Sequence, residues 1–177
     1  MSRGPVINAR TRQNHPCETL GDLAFYFHRH GVIDGIKVGV VSPESNILGS
    51  WIEAAAALPI TVVQVYPQRW HAQASPGDTP RFYTSTDLNE ILDADILVTD
   101  CCWPEEANPE ELSRYQITTD LLEQRRSGAE FLPCPPVFRG KEVSEGAMKH
   151  VSCRVVEAKA FLLHAHNAVL EQMFAEV

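Results

Sequence analysis

Short apolar runs rich in valine and isoleucine recur along the chain and are separated by stretches with helical character. The runs are apolar at nearly every position, which is typical of parallel strands covered by helices on both faces. The candidate strands are 36–41, 60–66, 95–99, 129–132 and 151–156. Predicted helices between them are 46–58, 86–92 and 118–126, and the Pro- and Gly-containing segment 67–83 is a predicted loop. This alternation predicts an α/β fold with one doubly wound, mostly parallel, Rossmann-like sheet of about five strands.

Two further predicted helices, near the ends of the chain, carry apolar residues on more sides than one domain can cover. The predicted core face of helix 17–30 consists of Leu20, Leu23, Ala24 and Phe27. Phe25 and Tyr26 are then expected on its other side, and helix 157–174 is apolar in nearly every direction. Since 177 residues suffice for one good core, these surfaces predict a homo-oligomer. The simplest form is a dimer in which Phe25, Tyr26 and the last helix meet their symmetry mates.

Charge and composition exclude several classes of partner. The net charge of −8 argues against nucleic-acid binding, which needs a basic face. No apolar run approaches the roughly 18 residues of a membrane-spanning helix, and no signal peptide is recognised, so a cytoplasmic location is expected. The five cysteines form no CxxC pair or zinc-ligand spacing. His28 and His30, like His164 and His166, are two residues apart and cannot share a helix face, so no metal site is expected.

Five short motifs follow one another in order from about Pro5 to the end of the chain. They are PVINARTRQNHPCETLGDL, VGVVSPESNILGSWIEAAAAL, ADILVTD followed by CCWPEE, FLPCPPVFRGKEVS and LLHAHNAVL. Together they resemble the C-terminal, amino-acid-binding domain of the aspartate/ornithine carbamoyltransferases, and Cys134 places the resemblance closer to the ornithine branch. The resemblance implies that residues 1–177 form this single domain, and that the carbamoyl phosphate domain with its Ser-x-Arg-Thr-Arg loop is absent. It implies no cofactor.

The resemblance also implies a reaction and three candidate catalytic residues. In the family, an amine attacks the carbonyl carbon of carbamoyl phosphate and phosphate leaves, so the protein must position substrates and neutralise charge. His15 matches the histidine that donates to the carbamoyl oxygen, and Arg139 matches an arginine on the carbamoyl phosphate side. Cys134 matches a cysteine near the attacking amine, although no neighbouring base activates it as a nucleophile. Structural interpretations remain open: a helix start at His15 and a surface turn at Arg139.

Three further positions match residues that bind the amino acid in the family. Asn46 and Asp100 correspond to groups that hold its α-carboxylate and α-amine, since a carboxylate pairs well with ammonium. Pro135 keeps the carbonyl that a leucine offers to the amine in the family. Asn46 could equally cap the following helix, and Asp100 could end a strand in a turn.

Several residues depart from the family pattern. Glu18 replaces a glutamine, exchanging an amide that can donate for a carboxylate that only accepts, which disfavours the usual pose of carbamoyl phosphate. Residues 104–106, Pro-Glu-Glu, replace Ser-Met-Gly and remove the usual cover of ornithine; their charge favours a cationic substrate or another metabolite. Residues 42–43, Ser-Pro, replace Gly-Asp.

Arg10 and Arg12 are basic where the family is not. They are candidates for an anion site or for docking an acidic partner, against the alternative of a solvated turn. The function predicted first is an amino-acid-binding domain that takes part in carbamoyl transfer when another chain supplies the carbamoyl phosphate domain; alone, it is expected to be inactive. The alternative is a non-catalytic relative that binds an amino acid or phosphate-bearing metabolite, or a structural subunit.

Overall fold

The structure is a computed structural model that describes residues 6–73, 79–101 and 104–175. Its helices are α1 (Pro16–His30), α2 (Asn46–Ala57), α3 (Pro109–Ser113), α4 (Thr119–Gln124) and α5 (Val155–Ala175). Its strands are β1 (Lys37–Val41), β2 (Thr61–Val65), β3 (Phe82–Ser85), β4 (Ile96–Thr99) and β5 (Glu130–Phe131). Short 3-10 turns lie at Gln68–Trp70, Leu88–Ile91 and Ala147–Lys149. Within the described ranges, no helix combines the length and apolar character needed to cross a membrane.

All five strands form one parallel sheet in the order β3-β2-β1-β4-β5. Val38 of the central strand pairs with Val62 of β2 on one side and with Ile96 of β4 on the other. The chain winds outward through β2 and β3, and then crosses back over β1 to β4. The winding therefore reverses between β1 and β4, and the predicted doubly wound α/β fold is confirmed.

The sheet separates two apolar layers. On one face, α1, α2 and α5 cover inward-facing strand residues such as Val38 and Val40, with Trp51 fully buried among them. On the other face, Val63 and Leu97 pack against the loops and short helices that surround β5. Successive residues of each strand point to opposite faces. Because both faces are covered, the strands are apolar at nearly every position, as the sequence pattern predicted.

Strands β1, β2 and β4 confirm three predicted strands, and β5 confirms the fourth in shortened form. The predicted strand 151–156 is wrong. Strand β5 has two residues, and one of them, Phe131, bonds to segment 151–156: its N–H donates to the Ser152 carbonyl at 2.8 Å. Helix α5 then begins at Val155, inside the predicted strand. The fifth strand is β3, which starts at the end of the predicted loop 67–83. Predicted helix 86–92 is a turn with a single 3-10 segment.

The orientation predicted for the first helix is also wrong, although Leu23 is buried as predicted. Phe25 and Tyr26 are buried in the chain's own core, and so cannot meet symmetry mates, whereas Leu20 and Phe27 are exposed. The pattern misleads because the buried face of α1 contains two carboxylates, Glu18 and Asp22, which count as polar. On α5 the large apolar residues that stay exposed in the chain are Val156, Leu163, Leu170 and Phe174.

Candidate functional site

Polar side chains gather where β1, β4 and β5 end, at the point where the winding of the sheet reverses. Asn46 follows β1, Asp100 follows β4 directly, and Cys134 lies shortly after β5. Carboxyl ends of parallel strands meet at one edge, and open α/β sheets bind ligands at such a reversal. The fold therefore brings Asp100 and Cys134, predicted separately from their motifs, to neighbouring strand ends.

Asp100 is held next to the Cys134 loop by the backbone. The Cys134 N–H donates to the Thr99 carbonyl at 2.9 Å, which extends the β4–β5 pairing by one step past the strands. The Asp100 carboxylate is buried, and its Oδ1 accepts the Cys101 N–H at 2.7 Å. Its negative charge also helps to raise the pKa of the Cys134 thiol, after burial and Glu18. Asp100 is thus a buried acidic group in close electrostatic contact with Cys134.

Cys134 is a buried thiol that serves as a hydrogen-bond donor. Its Sγ lies 3.7 Å from Glu18 Oε1 and 3.6 Å from the carbonyl oxygen of Pro135, which is followed by a cis peptide bond to Pro136. Burial, and then the charge of Glu18, raise the pKa of this thiol far above its ordinary value. The thiolate required for nucleophilic attack is therefore not populated near neutral pH.

Glu18 does not present a bare carboxylate to this site. Lys159 of α5 places its Nζ 2.5 Å from Glu18 Oε1 and 2.7 Å from Asp22 Oδ1, one helical turn further along α1. Asp22 is almost fully buried, and burial raises its pKa to about 6 despite the neighbouring ammonium. The acceptor that replaces the family glutamine is therefore neutralised from within the chain.

His15 lies at the start of α1, one turn before Glu18. Its backbone N–H donates to Ser50 Oγ of α2 at 2.7 Å, which fixes the beginning of α1 against α2. Its ring Nδ1 is buried and has no hydrogen-bond partner among the described residues. Both the helix-start interpretation and a role for the ring are compatible with this position.

Asn46 is the first residue of α2, but it does not cap the helix. The cap is Ser45, whose Oγ accepts the Leu48 N–H at 3.2 Å, so the capping interpretation of Asn46 is wrong. The Asn46 amide instead donates to the Thr11 carbonyl at 2.9 Å. This bond ties the extended segment before α1 to the start of α2.

The three candidate arginines are exposed and lie apart from the buried residues Glu18, Asp100 and Cys134. Arg10 and Arg12 are exposed, and Arg12 lines a groove of about 320 Å³ with Glu44, Ser45 and other residues at the start of α2. Arg139 is on an exposed turn, and its Nε lies 3.9 Å from Glu145, which is also exposed. Their proposed contacts with anions stay predictions.

The sequence analysis missed Lys159, Asp22 and Glu142. Glu142 is buried, its Oε1 accepts the Phe138 N–H at 2.5 Å, and its Oε2 has no partner among the described residues. Burial raises the pKa of Glu142, and the charge of Asp100 adds to this. The available signal for Lys159 was one cation in a helix otherwise apolar on most sides. Glu142 lies inside the recognised FLPCPPVFRGKEVS motif.

The structure gives little evidence for a role of residues 102–106 or for a metal site. Cys102 and Trp103 lie outside the described residues, and Glu105 and Glu106 are exposed in the turn that follows. Among residues whose placement is described, no group of three or more His, Cys, Asp or Glu side chains could hold a metal ion.

The fold and these side chains define a class: a doubly wound α/β domain with buried polar side chains next to the reversal point of its sheet. Residues 34–173 match the family model described as aspartate/ornithine carbamoyltransferase, Asp/Orn binding domain. The chain therefore belongs to the aspartate/ornithine carbamoyltransferase family.

Individual relatives agree with this assignment. The chain is 31% identical to an ornithine carbamoyltransferase of Chromobacterium violaceum, over 97% of this chain and 59% of that protein. The crystal structure of ornithine carbamoyltransferase from Burkholderia thailandensis superposes with a TM-score of 0.87 at 28% identity, covering 97% of this chain and 59% of the other. The enzyme from Thermus thermophilus gives a TM-score of 0.85 at 29% identity, with the same coverage. The chain thus spans only 59% of the length of these relatives.

Proposed function

We propose that this chain is the amino-acid-binding domain of a carbamoyltransferase of the ornithine type, which takes part in carbamoyl transfer when a second chain supplies the carbamoyl phosphate domain. The observation that carries the proposal is the juxtaposition of Asp100 and Cys134 at neighbouring strand ends, fixed by the bond from the Cys134 N–H to the Thr99 carbonyl. This juxtaposition lies beside the point, between β1 and β4, where the winding of the sheet reverses.

Five residues of the candidate site each have a specific part in the proposal. Asp100 pairs with the ammonium group of the amino acid, because an ionised carboxylate forms a strong charge-assisted hydrogen bond with it. The Asn46 amide binds the α-carboxylate, and the Pro135 carbonyl accepts from the attacking amine. His15 donates to the carbamoyl oxygen as negative charge develops there. Cys134 acts as a protonated donor beside the amine.

The second chain is proposed from the apolar surface of the two terminal helices. Phe27 of α1 and Leu163, Leu170 and Phe174 of α5 are exposed large apolar side chains. A contiguous exposed apolar surface in a soluble protein usually marks an interface. The alternative occupant of this surface is a second copy of the chain, as in the expected homo-oligomer. Three exposed cations are proposed to contact the phosphate group of carbamoyl phosphate when the second chain binds it: Arg10, Arg12 and Arg139.

Calorimetric titration with a panel of amino acids, including ornithine and aspartate, tests the binding site. We expect one amino acid to bind the wild-type chain, and Asp100→Ala to weaken its affinity by about tenfold or more, because an ammonium group loses its partner. Asp93→Ala is the matched control, since its carboxylate lies at the opposite edge of the sheet with a side chain 72% exposed. Equal affinity in wild type and Asp100→Ala, or no binding of any amino acid, would contradict the assignment.

An activity assay tests the need for a second chain. The isolated protein, given ornithine and carbamoyl phosphate, is expected to form no citrulline above background, because the cations that stabilise the leaving phosphate are proposed to lie on another chain. Citrulline formation by the purified chain alone would overturn this part of the proposal.

A further inference from the structure

A buried charged cluster joins the two terminal helices directly behind the candidate site. Its members are Glu18 and Asp22 of α1 and Lys159 of α5, with the Lys159 Nζ 2.5 Å from Glu18 Oε1 and 2.7 Å from Asp22 Oδ1. Gly21 lies on the same face of α1, where a Cβ would be 2.7 Å from Leu162 Cδ2. The absence of a side chain at this position lets α5 approach closely enough for its lysine to reach both carboxylates.

The cluster is directly connected to the candidate site. Glu18 Oε1, the oxygen that Lys159 contacts, also accepts the Cys134 thiol at 3.7 Å. An unbroken series of contacts therefore runs from the Lys159 ammonium through one carboxylate oxygen to the sulfur that lies beside the Pro135 carbonyl. The second carboxylate of the cluster, Asp22, contacts Lys159 at 2.7 Å and makes no hydrogen bond to Cys134.

Charge gives this series of contacts its consequence. Three nearby carboxylates, Glu18, Asp100 and Asp22, raise the pKa of the Cys134 thiol. The Lys159 ammonium acts in the opposite direction and lowers it. His15 is one turn earlier on α1, its carbonyl accepting the Glu18 N–H at 3.2 Å. Without an ammonium at 159, two buried carboxylates would stand side by side behind the site, and neither could keep its charge at low cost.

We propose that Lys159 is a positioning residue of the candidate site: it fixes the Glu18 carboxylate as the acceptor of the Cys134 thiol and cancels the negative charge that Glu18 would otherwise present to a ligand. The effect of Lys159 on a bound ligand rests on the proposed function. The coupling of Lys159 to Cys134 through Glu18 is a property of the protein without a ligand. Lys159 also accounts for how a carboxylate can occupy the position where the family has an amide.

A double-mutant cycle with a chemical readout tests this coupling. The rate at which iodoacetamide alkylates Cys134 is followed by peptide mass spectrometry between about pH 7 and pH 9.5, in wild type, K159M, E18Q and the double variant. If Lys159 acts through Glu18, K159M changes the rate at Cys134 by about fivefold or more when Glu18 is present. The same substitution changes it by less than about twofold in protein that carries E18Q.

Control variants separate positioning from loosened packing. Leu162→Ala disturbs the same helix contact without altering any charge, so its effect on the rate at Cys134 is expected to be equal with and without E18Q. If K159M proves unable to fold, the cycle is run in protein carrying D22N, in which only one carboxylate is left without its lysine. An equal effect of K159M in both backgrounds, or no effect in either, would overturn the inference.

This outcome is independent of ligand binding. A wild type that binds no amino acid, but shows the coupling at Cys134, would remove the proposed function and keep the inference. A protein that binds an amino acid through Asp100 without the coupling would do the reverse.

Discussion

At the edge of the sheet where the strands begin, buried carboxylates are surrounded by donors. Asp95 accepts the Lys37 N–H at 2.8 Å and Arg126 Nη1 at 2.6 Å, and Glu130 lies between Arg29 and His30. At the end of the sheet where the strands finish, carboxylates outnumber their cationic partners, because Glu18 and Asp22 share the ammonium of Lys159. Buried His15 Nδ1, Thr99 Oγ1 and Glu142 Oε2 have no partners there among the described residues.

The difference lies in how the buried carboxylates are paired, and it supports the binding site proposed where the strands end. A buried polar atom without a partner costs free energy of folding, about 1–3 kcal/mol for each group, unless a ligand satisfies it. Where the strands begin, the Asp95 and Glu130 carboxylates are paired with cations and N–H groups from several elements, although Arg125 Nε and Arg154 Nε have no hydrogen-bond partner among the described residues. Where the strands end, the chain keeps polar groups that its own residues do not satisfy, as expected of a site that completes its bonding with a ligand.

The largest effect is expected where the strands begin. Asp95→Ala should lower the free energy of unfolding by about 3–5 kcal/mol, because it leaves the Lys37 N–H and the Tyr26 hydroxyl without their buried acceptor. Urea denaturation measures the change. Asp93→Ala, which removes an exposed partner of Lys37, should cost under about 1 kcal/mol. Similar losses in the two variants would break the comparison.

The next largest effect is a pH dependence at the other edge. The pKa of Asp22 in the folded protein is about 6, above its ordinary value of 3.8, so the folded state binds this proton more tightly than the unfolded state. Its contribution to stability is therefore highest below about pH 4 and falls as the pH rises to about 6, by up to roughly 3 kcal/mol.

Denaturation curves at several pH values, compared between wild type and Asp22→Asn, isolate this contribution. The asparagine variant should lose that fall between about pH 4 and pH 6, and Asp93→Asn should retain it. A wild type and an Asp22→Asn variant with parallel stability profiles over this range would show that Asp22 is not held in an unfavourable charged state.

A smaller gain is expected from Glu142→Gln. Burial raises the pKa of Glu142, so the folded state disfavours its ionised form, and the stability that this carboxylate contributes falls as the pH rises. Glutamine keeps an acceptor for the Phe138 N–H and offers an N–H₂ group in place of the unpartnered oxygen. We expect a stabilisation of about 1 kcal/mol at pH 8 and less at pH 4, from thermal or urea unfolding. A loss of stability at pH 8 would mean that the charge of Glu142 is needed.

The smallest effect is expected at Arg139. Its side chain is 59% exposed and lies 3.9 Å from an equally exposed Glu145, so Arg139→Gln should change the free energy of unfolding by less than about 0.5 kcal/mol. Such a result would separate any effect on carbamoyl transfer from an effect on folding. A loss above about 1 kcal/mol would indicate a structural role for this arginine.

Local sequence patterns predicted the centre of the fold better than its periphery. The valine-rich strands β1, β2 and β4 are covered on both faces, and their pattern reflects that directly. Strand β3, with the sequence FYTS, is half-exposed at the edge and follows a Pro- and Gly-containing stretch, so it lacks the same signal. Strand β5 is too short to support the additional strand predicted at 151–156.

The site divides in the same way. The positions of Asn46, Asp100 and Cys134 at strand ends could be predicted, because each follows a strand that the sequence indicates; their roles stay predictions. Lys159 could not, since it lies 137 residues from Asp22 and only packing of α1 on α5 brings the two together. The same packing buries Glu18 and Asp22, which a helical pattern assigns to the solvent, and so it also explains the wrong orientation predicted for α1.

The contact between α1 and α5 has a consequence for the order in which the protein can be built on the ribosome. Pro16–His30 is synthesised before any strand of the sheet, and Val155–Ala175 after all of them. Until the last helix emerges, Glu18 and Asp22 have no ammonium beside them, so burying both carboxylates costs free energy. Domain folding during synthesis generally proceeds from the N-terminus. In this chain the contacts of Glu18 and Asp22 with Lys159 can form only after the last helix has been synthesised, although the apolar face of α1 can pack on the strands before then.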